Sequence, residues 1–217
     1  MRERISAAAG RAGKRIEDVT LVAVSKGVDI DDIAAAVAAG ITDFGESRVQ
    51  EAEPKAARLP HLRWHMLGHL QRNKVRQAVR LFSVIQSVDS ERLAAELSAH
   101  ATAQHSIDIL LQVNVTGESQ KSGIDPRDAP AILREIAGMP GLRVVGLMTI
   151  APQSDDPETV RPVFRRLREL RDEVRTSGIV GREFVHLSMG MTDDFEVAIE
   201  EGATMVRVGR AIFGERK

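Results

Sequence analysis

The chain has 217 residues, 30 basic and 31 acidic side chains, and 43% apolar content. That is enough to bury one large core, and nearly cancelling charges without a basic stripe exclude the electrostatic footprint of a nucleic-acid binder. Cysteine and tyrosine are both absent, which removes disulfides, thiolate metal sites, and any thiol or phenol as acid, base or nucleophile.

Residues 1–15, MRERISAAAGRAGKR, carry charges but no apolar signal core, and no window reaches the ~18 apolar residues of a membrane span. The expectation is a soluble cytoplasmic protein folded as one domain over residues 1–217. No metal, nucleic-acid or membrane partner is expected, and a monomer is, although no pattern fixes the oligomeric state.

After an N-terminal helix, LVAVSK (21–26) reads as the first strand. IDDIAAAVAAG follows as a helix with Asp31 and Asp32 at its positive end and Gly40 as its C-terminal cap. ITDFGES is strand two, and VQEAEPKAARL a helix that Pro54 should shorten or bend. LRWHMLG, FSVIQSVD, IDILLQVN and LRVVGLMTI are strands three to six. Helices separate them at NKVRQAVRL, from Ser90 to about Ala103, and at DPRDAPAILREIAG, with Asp125 as N-cap and Pro126 in the first turn. The next helix aligns Val160, Phe164, Leu167, Leu170 and Val174 on one face, with its regular part starting at Pro162. FVHLSMG is strand seven, a helix runs from about Thr192 to Glu201, and TMVRVG is strand eight. Eight strands alternating with helices predict a (β/α)8 TIM barrel, with an open doubly wound sheet as the alternative.

A barrel does its chemistry at the C-terminal ends of its strands. Lys26, Ser47, Gly68, Asn114, Thr149, Ser188 and Gly209 fall there. A lysine at the mouth of a core strand is either a side chain reaching water or the amine that holds a carbonyl compound as a Schiff base. LSMGMTDD offers Ser188, Gly190 and Thr192 in a turn before a helix, and VRVGRAIFG offers Gly209 before another helical turn. Either could take an anion, although a glycine after a strand is more often only a turn. Strand eight lies beside strand one in a closed barrel, so amine and anion cradle would be neighbours. Aldehyde and phosphate on one small molecule describe pyridoxal 5'-phosphate, or a sugar phosphate in a Schiff-base aldolase. Arg207, one alternation step before Gly209, should point into the barrel mouth, either at a pyridine nitrogen or at a buried carboxylate.

The segments AVSK, FGESRVQE, WHMLGHLQRNK, LLQVN, ESQKSGI, GLMTI, LSMGMTDDFEVAIEEGAT and VRVGRAIFG, in this order, resemble the YggS/PROSC family of pyridoxal phosphate homeostasis proteins from about Leu21 to Gly214. The resemblance implies a fold-type III barrel like the N-terminal domain of alanine racemase, without its C-terminal β domain. It also implies pyridoxal phosphate on Lys26 as an internal aldimine, and phosphate contacts from Ser188, Met189, Gly190, Gly209 and Arg210. Arg207 would meet the pyridine nitrogen, and Ser47 and Met148 would flank the cofactor. Lys121, in the KSG segment, is either a secondary cofactor contact or a solvated lysine. Ser47 stands where the family commonly has Asn, and Arg210 where it has Thr, which puts cofactor affinity in question.

A carrier acting in vitamin B6 homeostasis, with pyridoxal phosphate-requiring apoenzymes as candidate partners, is the first reading. An amino-acid racemase or decarboxylase is the second, and the aldolase a third. A racemase needs a second base opposite the lysine. The related racemases use tyrosine, which this chain lacks, leaving His65 or His69 as substitutes in positions where packing or capping is commoner. An always-cationic arginine at the pyridine nitrogen also weakens the ring as an electron sink. No catalytic residue is therefore assigned, and little or no amino-acid turnover is expected.

Overall fold

In the computed structural model, residues 1–102, 106–117 and 122–214 are described. Lys121 lies outside them. The chain begins with α1 (Arg2–Arg11) and then alternates: β1 (Thr20–Val24), α2 (Ile30–Ala38), β2 (Asp43–Glu46), α3 (Val49–Arg58), β3 (Arg63–Met66), α4 (Val75–Leu81), β4 (Val84–Val88) and α5 (Glu91–His100). The rhythm continues through β5 (Ile107–Gln112), α6 (Ala129–Ile136), β6 (Leu142–Met148), α7 (Arg161–Thr176), β7 (His186–Ser188), α8 (Phe195–Glu200), β8 (Met205–Val208) and α9 (Arg210–Phe213). The eight strands pair in sequential order, all parallel, and β8 returns to β1 with Val22 opposite Arg207. The sheet is a closed barrel, so the open-sheet alternative falls.

The sequence explains most of these elements. The strands are almost wholly buried, as expected where helices cover the outside and side chains fill the lumen. Phe164, Leu167, Leu170 and Val174 form the buried stripe of α7. Val84, Leu110, Val145, Met148 and Met205, all on strands, make a second, smaller apolar cluster apart from the main core. No helix among the described residues is long and apolar enough to cross a membrane.

Three boundaries differ from the sequence reading. Helix α3 runs unbroken through Pro54. Asp125 does not cap α6: its carboxylate accepts the backbone N–H of Arg127 at 2.9 Å, closing a separate turn, and the helix begins only at Ala129. Similarly, α8 begins at Phe195 rather than Thr192, because Asp194 accepts the Met191 N–H at 2.5 Å and draws residues 191–194 into a turn.

Candidate functional site

Strand β1 ends at Val24, and the chain turns at once. The Val28 N–H donates to the Ser25 carbonyl at 3.0 Å, and Gly27 at φ +70° makes that turn accessible. Lys26 is thereby placed at the corner, half-buried. Its two neighbours are anchored by side chains from β2 and α3. Ser25 Oγ donates to Glu46 Oε1 at 2.6 Å, Lys55 Nζ donates to the Ser25 carbonyl at 2.7 Å, and the Gly27 N–H donates to Glu51 Oε1. Lys55 also pairs with Glu46 at 2.8 Å and Glu51 at 3.0 Å. Burial pushes the Glu46 carboxyl up, while Lys55 and Ser25 pull it down. For Glu51 burial acts upward too, but the Gly27 amide and Lys55 together hold it below the usual carboxylate range. Lys26 therefore stands on a stiff mount whose polar parts sit behind it.

A cleft of about 620 Å³ opens over this corner, and its walls carry Lys26, Ser47, Arg207, Gly209 and Arg210. Ile150 and Met191, the exposed large apolar side chains among the described residues, also line it. Arg207 lies 5% exposed. Its Nη1 donates to Ser188 Oγ and its Nη2 to the Thr149 carbonyl, both at 2.7 Å. Burial draws this guanidinium down to about 10, opposed by Asp194, so it stays charged at neutral pH. No carboxylate forms a direct ion pair with it among the described residues; buried Asp194, on the same cleft, acts on it through space.

The loops after β7 and β8 supply the other wall. Gly190 has φ +91°, and its carbonyl accepts the Arg207 N–H at 3.0 Å. The Met189 N–H goes to the Met205 carbonyl and the Met191 N–H to Asp194. The amides of Gly190, Gly209 and Arg210 donate to no described residue. Arg210 pairs its side chain with Asp193 at the rim.

Five of the nine site residues expected from sequence thus share one cleft. Ser188 lies beneath it, its hydroxyl committed to Arg207 and Gln86 rather than to the open space. Met189 is buried in the main core and Met148 in the second apolar cluster, neither on the cleft wall, and Gly190 adjoins it through Met191. His65 is buried between Asp43 and Gln86, and exposed His69 pairs with Asp89 at 3.0 Å; neither faces the cleft. Sequence reasoning missed Ser25, Glu46, Glu51 and Lys55. Their only signal was the Glu51 to Lys55 spacing of four on a helix, which ordinarily marks a solvated pair. A second cleft, about 550 Å³, includes Arg63, Asp108 and Arg143 on its walls, where Asp108 satisfies both arginines.

The alanine racemase N-terminal domain family matches residues 1–217. A pyridoxal phosphate homeostasis protein of Aquifex aeolicus is 44% identical over 218 residues, spanning 99% of this chain and 95% of that one. The chain belongs to the family of pyridoxal phosphate homeostasis proteins. Among solved structures, PipY of Synechococcus elongatus, described with pyridoxal phosphate bound, superposes with a TM-score of 0.85 at 37% identity, covering 98% of this chain and 99% of that one. Alanine racemase from Corynebacterium glutamicum superposes at 0.76 with 18% identity, covering 99% of this chain but 60% of the racemase. That likeness is one of fold alone, and it places the family on the racemase barrel.

Proposed function

We propose that this protein holds pyridoxal 5'-phosphate in the cleft, attached through Lys26, and acts as a cofactor carrier in vitamin B6 homeostasis rather than as an amino-acid-transforming enzyme. The observation that carries the reading is the convergence of one mounted amine, one buried guanidinium without a direct ion pair, and the undonated backbone amides of Gly209 and Arg210 on a single cleft, with that of Gly190 beside it. These residues fit the group. Pyridoxal phosphate supplies an aldehyde that condenses with a primary amine, a ring nitrogen that accepts a hydrogen bond, and a dianionic phosphate. Lys26 provides the amine, Arg207 the donor to the ring, and the amides of Gly190, Gly209 and Arg210 the anion contacts. Ser47 lines the cleft, its backbone against Gly68. Arg210 adds a cation within reach of the same loop, though its charge is shared with Asp193.

The carrier reading is supported by the commitments of the groups near Lys26: of the carboxylates on the cleft walls, Asp193 pairs with Arg210 and Asp194 accepts the Met191 N–H. Racemisation at an amino acid's α-carbon needs a second base opposite Lys26. The chain has no tyrosine or cysteine, and both histidines considered for that role point elsewhere. Incubating loaded protein with L- and D-alanine in deuterated water and following the α-proton by NMR tests this directly. No exchange above the rate of free pyridoxal phosphate is expected; Lys26-dependent exchange would establish an enzyme instead.

A further inference from the structure

Four buried or nearly buried polar side chains, none of them on the cleft wall, run from Arg207 in an unbroken line. Arg207 Nη1 donates to Ser188 Oγ at 2.7 Å, Ser188 donates to Gln86 Oε1 at 2.6 Å, Gln86 Nε2 lies 2.9 Å from His65 Nδ1, and His65 Nε2 lies 2.9 Å from Asp43 Oδ1. The line crosses the barrel from β8 through β7, β4 and β3 to β2. Ser188, Gln86 and His65 are each fully buried.

The ends fix the direction. A guanidinium can only donate and a carboxylate can only accept. Each of the three groups between them must then accept from the Arg207 side and donate toward Asp43. The serine proton goes to the glutamine oxygen, the amide N–H to His65 Nδ1, and the imidazole proton to Nε2. One proton arrangement satisfies every member. Burial keeps the imidazole below its ordinary value and so neutral, as the arrangement requires. Hydrogen bonds aligned this way polarise one another.

The line also answers a problem of charge. A buried guanidinium needs compensation; buried Asp194 supplies part of it through space, without a direct ion pair, and the line brings a second carboxylate to bear from its far end. Asp43, one end of the line, accepts the Thr42 hydroxyl at 2.8 Å and lies 3.9 Å from Arg63.

We propose that Asp43, His65, Gln86 and Ser188 form a one-way hydrogen-bond relay that positions Arg207 beneath the cleft, with Asp43 adding a remote negative charge to that of nearby Asp194. Both Nη atoms of Arg207 are anchored, so the guanidinium cannot rotate, and it presents the cleft with a donor. None of the four is a catalytic residue; each acts through Arg207.

Two measurements test the relay, the second of which rests on the pyridoxal phosphate reading. The first uses the full chain without ligand. Long-range proton–nitrogen NMR at neutral pH should show His65 in the Nε2-protonated tautomer. The Nδ1-protonated form, or an imidazolium, would overturn the relay. The second measures pyridoxal phosphate affinity and the resonance of its ¹⁵N-labelled ring nitrogen. Gln86→Met should weaken binding by about fivefold and move the ring resonance, and Asp43→Asn, which keeps the shape and removes the charge, should move it in the same direction. Asp125→Asn, which pairs with exposed Arg127 away from the line, should change neither. If Gln86→Met does not fold, Asp43→Asn carries the comparison. An unchanged ring resonance and affinity in the folded variants would overturn the relay. Wild-type protein that shows the Nε2 tautomer but binds no pyridoxal phosphate would sink the cofactor reading while supporting the relay.

Discussion

Lys55 Nζ lies 2.8 Å from Glu46 Oε1, alongside the turn that carries Lys26, and the same ammonium reaches the Ser25 carbonyl at 2.7 Å. A charged pair with one partner 12% exposed and the other fully buried is costly to form and more costly to break. Its position gives it a purpose that stability alone does not: it locks the residues on either side of the amine.

Replacing Lys55 by Met should therefore destabilise the fold by about 3 kcal/mol, because Glu46 remains buried with only Ser25 to satisfy it. Urea unfolding measures the loss. Lys55→Met combined with Glu46→Leu should recover most of it, since an apolar pair leaves no charge stranded. A single variant as stable as wild type would show that the pair is not the mount described.

His65 should make the protein acid-sensitive. Burial holds its folded pKa below the ordinary 6.5, so the unfolded chain takes up the proton first. The stabilisation is complete above pH 6.5 and is lost as pH falls from there toward the folded pKa. Asp43 adds in the same direction at lower pH: burial acts to raise its carboxyl, but His65, Thr42 and Arg63 outweigh it and hold it below 3.8. Thermal melting of wild type against His65→Gln across pH 5 to 8 checks this. The variant should lose part of the slope just below pH 6.5; parallel curves would contradict the assignment.

Two glycines at the cleft should respond differently to alanine. Gly190 has φ +91°, and an added Cβ would lie 2.6 Å from the Ala198 Cβ and 2.9 Å from the Phe195 Cα. Strain and overlap together should cost about 2–5 kcal/mol. At Gly209, with φ −114°, the nearest atom to an added Cβ is the Val24 carbonyl oxygen at an ordinary 3.4 Å. Gly209→Ala should fold with a melting temperature close to wild type and, on the proposed phosphate contact at this loop, bind pyridoxal phosphate more weakly. Calorimetry separates the two. An unaltered affinity in Gly209→Ala would remove that loop from the anion site.

Asp125 offers a control far from the chemistry. The Arg127 side chain and backbone N–H hold its carboxyl down at about 2. The contribution of this pair is present above pH 3.8 and lost as pH falls through about 2. NMR titration of the Asp125 carboxyl should give that value, and in Arg127→Ala it should rise. An ordinary value near 3.8 in wild type would mean the turn does not persist in solution.

The barrel was legible because each apolar run had strand length and each was followed by a capped, helix-period segment. Lys26, Arg207 and Gly209 were legible because a strand end is a defined place in a barrel. What stayed hidden depends on how distant elements meet. The spacing of Glu51 and Lys55 does not reveal that α3 turns both toward β1. Gln86 read as one more residue of a buried strand, and His65 as packing, because only closure of the barrel brings β4 against β7 and β8. Cap positions at Asp125 and Thr192 misled for a local reason: aspartates bonding to nearby backbone amides close turns as readily as they start helices.

The central claim is that Lys26 is the attachment point in this cleft. The most direct test loads the protein with pyridoxal phosphate, reduces it with borohydride, and locates the added mass by peptide mapping, in wild type and in Lys26→Ala. A single pyridoxyl adduct on the peptide containing Lys26, accompanied by a visible absorbance band that the variant lacks, is the predicted result. An adduct on another lysine, or wild type and variant labelled alike, would contradict it.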